Sequence, residues 1–222
     1  MSENADHGTL GSQVLNTGEI AAKSQKFAEG YARLRDVTDR DGALPAWAKA
    51  LFMASAAAVK GHEGLLYNEL ERSRELGLTL NDSRGAALTV FISRGEEIYS
   101  RFTKAVNKVF SDEIDITSDP IPTYPVDRES CLEYFQEYFG FIPPYVKLMA
   151  DEAPRALEGY VLMREFSLDE NLLDAKNVEL LLCTVNAAEF SSSFVNVHAN
   201  GARKAGASEA EIVESVICAI PV

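Results

Sequence analysis

The chain has 222 residues, 46% of them apolar and 25% charged, which allows a sizeable core in one large domain or two small ones. Its formal net charge of −13 argues against a nucleic acid or an anionic membrane as partner and favours solubility. No apolar run approaches the ~18 residues of a membrane span. The start, Met1-Ser2-Glu3-Asn4-Ala5-Asp6, has neither the basic nor the apolar region of a signal peptide, so a cytoplasmic location is expected.

Helical periodicity runs through the chain and strand alternation is nearly absent, so the expected fold class is all-α. Residues 1–16 read as a flexible tail. A first helix is expected from about Gly18 to Asp36, a second over about 45–60 with Pro45 in its first turn, and a third over about 62–76, ended by Gly77. The pattern then predicts one long fourth helix from about Asp82 to Phe110. Residues 111–126 contain three prolines and read as a linker. Helices resume near Asp127, Pro144, Pro154, Asp174, Ser191 and Ser208, the last with a capping box, Ser208 to Glu211.

Shifting the chain on itself by 129 residues aligns it without a gap. Glu29-Gly30-Tyr31 falls on Glu158-Gly159-Tyr160, Arg35 on Arg164, Leu51 on Leu180, Arg74 on Arg203, and Gly77 on Gly206. Two tandem helical units are therefore expected, at 17–110 and 127–222, joined by the linker.

The second unit holds the residues that could carry chemistry. The stretch 174–190 is apolar almost all round, as in a helix buried on most sides, yet contains Glu179. Cys183 and Asn186 share its face. A carboxylate there needs a partner, is held protonated, or reaches the rim and water. In the next helix Asn196, Asn200, Arg203 and Lys204 mark the wet face, and His198 points inward with Ser191 two turns earlier. A hydrogen-bonded core histidine fits the same pattern. Glu179 lies about eleven positions before the turn, or ~16 Å, and His198 about eight after it, or ~12 Å, so antiparallel packing would bring the two together. Cys131, Cys183 and Cys218 form no CxxC and are expected as reduced thiols in a reducing compartment. Three histidines, one in the tail, make a metal site improbable, and no nucleotide- or cofactor-binding motif is present. No cofactor is therefore expected.

Glu179, Ser191, Phe194 and His198 together resemble the carboxymuconolactone decarboxylase / AhpD-like family. In its peroxidase branch a Glu is followed by CxxC and then by a His four residues beyond the second Cys. Phe139-Gly140-Phe141-Ile142-Pro143, Ala153-Pro154-Arg155-Ala156-Leu157-Glu158-Gly159-Tyr160 and the run from His198 to Ile212 are similar to further family motifs. The resemblance implies two AhpD-like units. It also implies a cofactor-free lyase that acts on a small ring-derived carboxylic acid or lactone, in the breakdown of aromatic compounds. Glu179 and His198 would transfer protons. Arg164 would hold the carboxylate, and Ser191, Phe194 and Asn186 would be further substrate contacts. Relatives that form rings imply a homo-oligomer, most simply a trimer.

The chain departs from the family where Ser191 and Phe194 occupy the two cysteine positions, which counts against an AhpD-like peroxidase or antioxidant. In the first unit Ala50, His62, Leu65 and Glu69 stand where Glu179, Ser191, Phe194 and His198 stand in the second. That unit reads as degenerate, unless His62, Glu63 and Glu69 line a pocket of their own. A non-catalytic helical scaffold or small-ligand-binding protein is the remaining reading.

Overall fold

The computed structural model describes residues 23–113 and 123–222. The tail 1–16, the expected first-helix start at Gly18 and most of the linker lie outside the described residues. Among those described the chain is all-α, with eleven α-helices and no strand. In chain order they are α1 (Gln25–Asp39), α2 (Ala46–Lys60), α3 (Glu63–Glu75), α4 (Leu80–Arg94), α5 (Glu96–Val109), α6 (Arg128–Phe139), α7 (Pro144–Glu152), α8 (Pro154–Arg164), α9 (Ala175–Ala188), α10 (Ser192–Lys204) and α11 (Glu209–Ile217). A π-helical turn, Glu165–Asp169, continues α8.

Local chemistry sets most helix starts. Thr79 and Asp82 form a capping box on α4, and Ser208 and Glu211 form one on α11. Asp127 and Ser130 do the same for α6, and Asp174 accepts the Asn177 N–H at the start of α9. Proline opens both α7 and α8, where its missing N–H costs nothing.

The expected long helix over 82–110 is instead two helices. The break is Gly95, at φ 83° and ψ −174°, a conformation open essentially to glycine alone. Glu96 and Glu97 then sit in the first turn of α5, where its dipole favours them. The α4 terminus carrying Ser93 and Arg94 is thereby freed from the helix beyond it.

The centre of the molecule is α2 packed against α9. Every residue from Ala48 to Ala58 and from Asn177 to Asn186 is buried. Helices buried all round need cover on every side. One core accordingly joins Leu51, Phe52, Leu70 and Phe102 from the first half to Leu180, Val185, Ala202 and Cys218 from the second. The two sequence-defined units are thus not separate cores. A second, smaller core around Cys131, Phe135, Val146 and Val161 belongs to α6–α8. Helices α1–α4 begin at residues 25, 46, 63 and 80 and α8–α11 at 154, 175, 192 and 209, so the paired starts are 129 apart.

The halves are also tied by a buried charge. Lys49 on α2 is 1% exposed, and its Nζ donates to the Val37 carbonyl at 2.6 Å and to Glu214 Oε2 at 3.1 Å. Glu214, on α11, also accepts the N–H groups of Ala43 and Leu44, each at 2.9 Å. Burial would raise the Glu214 pKa, but these donors outweigh it and hold the carboxyl below its ordinary value.

Glu214→Gln should therefore destabilise the fold by about 3 kcal/mol, as expected when a buried cation loses its partner. A carboxyl depressed in the native state stabilises above its unfolded pKa of ~4.3, and that contribution is lost as pH falls through the native value. Denaturant unfolding should show the gap between wild type and variant closing below about pH 4; equal stability at pH 7 would contradict the tie.

Candidate active site

Helices α9 and α10 are joined by only Glu189-Phe190-Ser191 and run back along one another. This brings His198 Nδ1 to 2.8 Å from Glu179 Oε2. The Tyr138 hydroxyl, from α6, donates to Glu179 Oε1 at 3.3 Å. Burial holds the Tyr138 phenol above its ordinary pKa, so it stays a neutral donor. Space for the carboxylate comes from Gly201, one turn beyond His198. A Cβ there would stand 2.5 Å from the Glu179 carboxyl carbon. With its Nδ1 engaged by a carboxylate acceptor, His198 carries the proton on Nδ1 and leaves Nε2 for other partners.

His198 forms part of the wall of a cavity of about 540 Å³, within the range of small-molecule sites. Both halves of the chain build it. Ile92, Ser93 and Arg94 come from the end of α4, Phe139, Tyr145, Tyr160 and Arg164 from α6–α8, and Leu182, Asn186, Ser191 and Phe194 from α9, the turn and α10. Arg164, Ser191, Phe194 and Asn186 therefore share one wall with His198. Glu179 does not reach it. Its side chain leaves a helix covered on every side and stops against α10. Glu179 is thus placed to act through His198 and not to touch a substrate directly.

Asn186 lines the cavity and is tied in place. Its Oδ1 accepts from Arg94 Nη2 at 2.9 Å and its Nδ2 donates to the Leu182 carbonyl at 2.8 Å, so the amide is engaged in holding the wall. Arg94 in turn donates from Nε to Glu189 Oε2 at 2.6 Å. Ser191 is the N-cap residue of α10 but makes no side-chain cap hydrogen bond, and Phe194 is 54% exposed on the wall. Phe190 has φ 57° and is 92% exposed; Gly61, 129 residues earlier, has φ 78°.

Arg164 is 8% exposed and sits among five rings. Its guanidinium carbon is 4.7 Å from the centroid of Tyr138, 5.3 Å from Phe135, 5.6 Å from Phe139, and 5.7 Å from both Tyr134 and Tyr160. Sequence reasoning named Arg164 but missed the cage and Arg94. The four-residue spacing of Tyr134 and Tyr138 was the available signal, since it puts two phenols on one helix face.

The matching positions of the first half are filled differently. Arg35 pairs with Glu69 at 2.8 Å and Asp39 at 2.9 Å, and Arg72 pairs with the other oxygen of Glu69 at 2.6 Å. This ion-pair cluster consumes Glu69, while His62 is exposed, so His62, Glu63 and Glu69 do not form the pocket considered from the sequence. Arg74 and Arg203 are engaged at the surface, with Asp112 and Glu113 and with Glu209 respectively. All three cysteines are buried and free. Burial pushes the thiols of Cys183 and Cys218 up to about 12. Among the described residues no group of three or more His, Cys, Asp or Glu is placed to hold a metal, and no helix is long and apolar enough to cross a membrane.

Glycine-to-alanine substitution separates the site from ordinary helix. Gly159 in α8 has open space around it, and Gly159→Ala should stabilise by roughly 0.5–1 kcal/mol. Gly201→Ala should show no such gain, because the new methyl displaces the Glu179 carboxylate from His198. Thermal melts of the two variants check this, and equal stabilisation would contradict the packing.

No protein-family model matches the chain and no curated protein is significantly similar to it; the family likeness rests on the motifs themselves.

Proposed function

We propose that the protein is a cofactor-free lyase of the carboxymuconolactone decarboxylase type, acting on a small ring-derived carboxylic acid or lactone. The observation that carries this reading is the His198 ring on the cavity wall, with Nδ1 held by the buried Glu179 and Nε2 left to meet a substrate. His198 is the proton-transfer group. Glu179 is the positioning residue that fixes its tautomer and ring orientation. In decarboxylation the carboxylate leaves as CO₂, and the electron pair of the broken C–C bond passes to the ring system. The carbon left behind takes a proton from the imidazolium, which water then replaces. Tyr138 supports Glu179, and Arg164 supplies the cation for the acid group.

The same reading takes the chain as two AhpD-like units that arose by duplication. The paired helix starts, the left-handed Gly77 and Gly206, and the matched capping boxes of α4 and α11 support it. The first unit is then the closed copy and the second the open one. Ring assembly, most simply a trimer, is proposed with it, and the exposed Phe141, Leu148 and Phe190 offer apolar surface for self-association. Light scattering should give a homo-oligomer at micromolar concentration; a monomer would rule out the ring.

A thiol peroxidase is disfavoured. Ser191 and Phe194 hold the positions of the reactive pair, and the buried cysteines are protonated thiols at neutral pH. A scaffold without chemistry is the other reading, and an open cavity at His198 weighs against it.

Assays of CO₂ release from a panel of muconolactone-type acids test the proposal. His198→Ala and Glu179→Gln should each lower turnover by ~10²-fold or more with helical content retained. A variant with all three cysteines replaced by alanine or serine should keep its activity. Turnover unchanged in His198→Ala, or hydroperoxide-dependent turnover coupled to loss of a thiol, would overturn it.

A further inference from the structure

Helices α2, α3, α9 and α10 end in one shared way. In each, a turn residue donates its N–H to the carbonyl three residues back, and the next residue donates to the carbonyl five back. The turn residues are Gly61, Gly77, Phe190 and Gly206. This closure needs a left-handed backbone, which glycine adopts freely. The three glycines have φ of 78°, 110° and 90°, and Phe190 has 57°. Among the described residues Phe190 is the only non-glycine residue with positive φ. A side chain there works against the backbone and, at 92% exposure, gains almost no burial in return. Phe141 and Leu148 are also exposed and apolar, but their backbones carry no such strain. Self-association alone therefore gives no reason to put a side chain at this one position.

The location of the turn supplies the reason. Glu189 and Ser191, on either side of Phe190, both line the cavity. Phe194 lines it too and is 54% exposed, so the wall meets solvent beside this turn. Arg94, from the end of α4, holds the turn in place by donating to Glu189 Oε2 at 2.6 Å and to Asn186 Oδ1 at 2.9 Å. We infer that Phe190 is a specificity-determining ligand contact, whose ring swings over the cavity mouth and stacks on a flat, unsaturated ring bound inside. Rotation about its Cα–Cβ bond breaks no packing, because the ring is surrounded by solvent. Covering a ligand returns the burial that the turn forgoes, and stacking favours a flat ring over a saturated one. The inference rests on the proposed function only in taking this cavity as the substrate site; binding needs no turnover.

Phe190→Gly and Phe190→Asn remove the ring and keep the left-handed turn. Thermal melts of Phe190→Gly should rise by about 2–4 °C as the strain is relieved. Titration calorimetry with benzoate and with its saturated counterpart, cyclohexanecarboxylate, reads the contact. Both variants should bind benzoate roughly tenfold more weakly than the wild type, and lose less affinity for cyclohexanecarboxylate. Phe190→Tyr should keep the wild-type affinities. Benzoate affinity unchanged in Phe190→Gly and Phe190→Asn, equal losses for the two acids, or no benzoate binding by the wild type would overturn the contact. A melting temperature lowered by the glycine would overturn its premise. Light scattering on the same samples separates the interface, since affinity lost only together with assembly would make Phe190 a contact between copies instead. Phe190-dependent benzoate binding with no CO₂ release from any acid would leave the contact standing and end the lyase reading. CO₂ release with KM unchanged in Phe190→Gly would do the reverse.

Discussion

Helices α2 and α9 are buried on every side, so any charge on or against them must find its partner inside the protein. Lys49 finds Glu214, Glu69 finds Arg35 and Arg72, and Glu179 finds His198 and Tyr138. Apart from Arg72, which shares α3 with Glu69, each partner comes from a different helix, so satisfying these pairs also fixes what packs around the central helices. Arg164 sits instead among aromatic rings, on the wall of the cavity.

Residues 129 apart show how one arrangement closes and the other opens. Glu69 matches His198, Arg72 matches Gly201, Asp39 matches Leu168 and Ala50 matches Glu179. In the first half the acids neutralise two arginines. In the second half the glycine makes room for a carboxylate that lies against α10 and turns its acceptor toward the imidazole. The turn keeps its shape although Phe190 replaces the glycine-like position of Gly61, at a left-handed backbone cost of roughly 1–2 kcal/mol. Strain of this kind beside a cavity is typical of functional loops.

Helix boundaries were legible where they were written in short-range chemistry. The capping residues at 127, 174 and 208 and the prolines at 144 and 154 act within one turn, so their meaning survives without the rest of the fold. Gly95 was not read as a break, because Glu96 and Glu97 continue a helical pattern and a lone glycine is tolerated inside a helix. The Glu179–His198 contact was legible because two inward residues at similar depth on tightly joined helices have little choice but to meet. The cavity was not legible. Its walls come from α4, α6, α7 and α8 as well as α9 and α10, and such distant contacts leave no periodic trace. The same limit hid the Arg35–Glu69 pair, whose members are 34 residues apart, and the placement of Glu179 behind the wall.

The account turns on Glu179 holding His198 so that Nε2 faces the cavity. Long-range ¹H–¹⁵N correlation of the imidazole rings reads this directly, and His7, His62 and His198 can be assigned by substitution. Above the titration of the ring, the neutral His198 should carry its proton on Nδ1 with Nε2 bare, and Glu179→Gln should weaken that preference. A neutral His198 protonated on Nε2, unaffected by Glu179→Gln, would contradict the account.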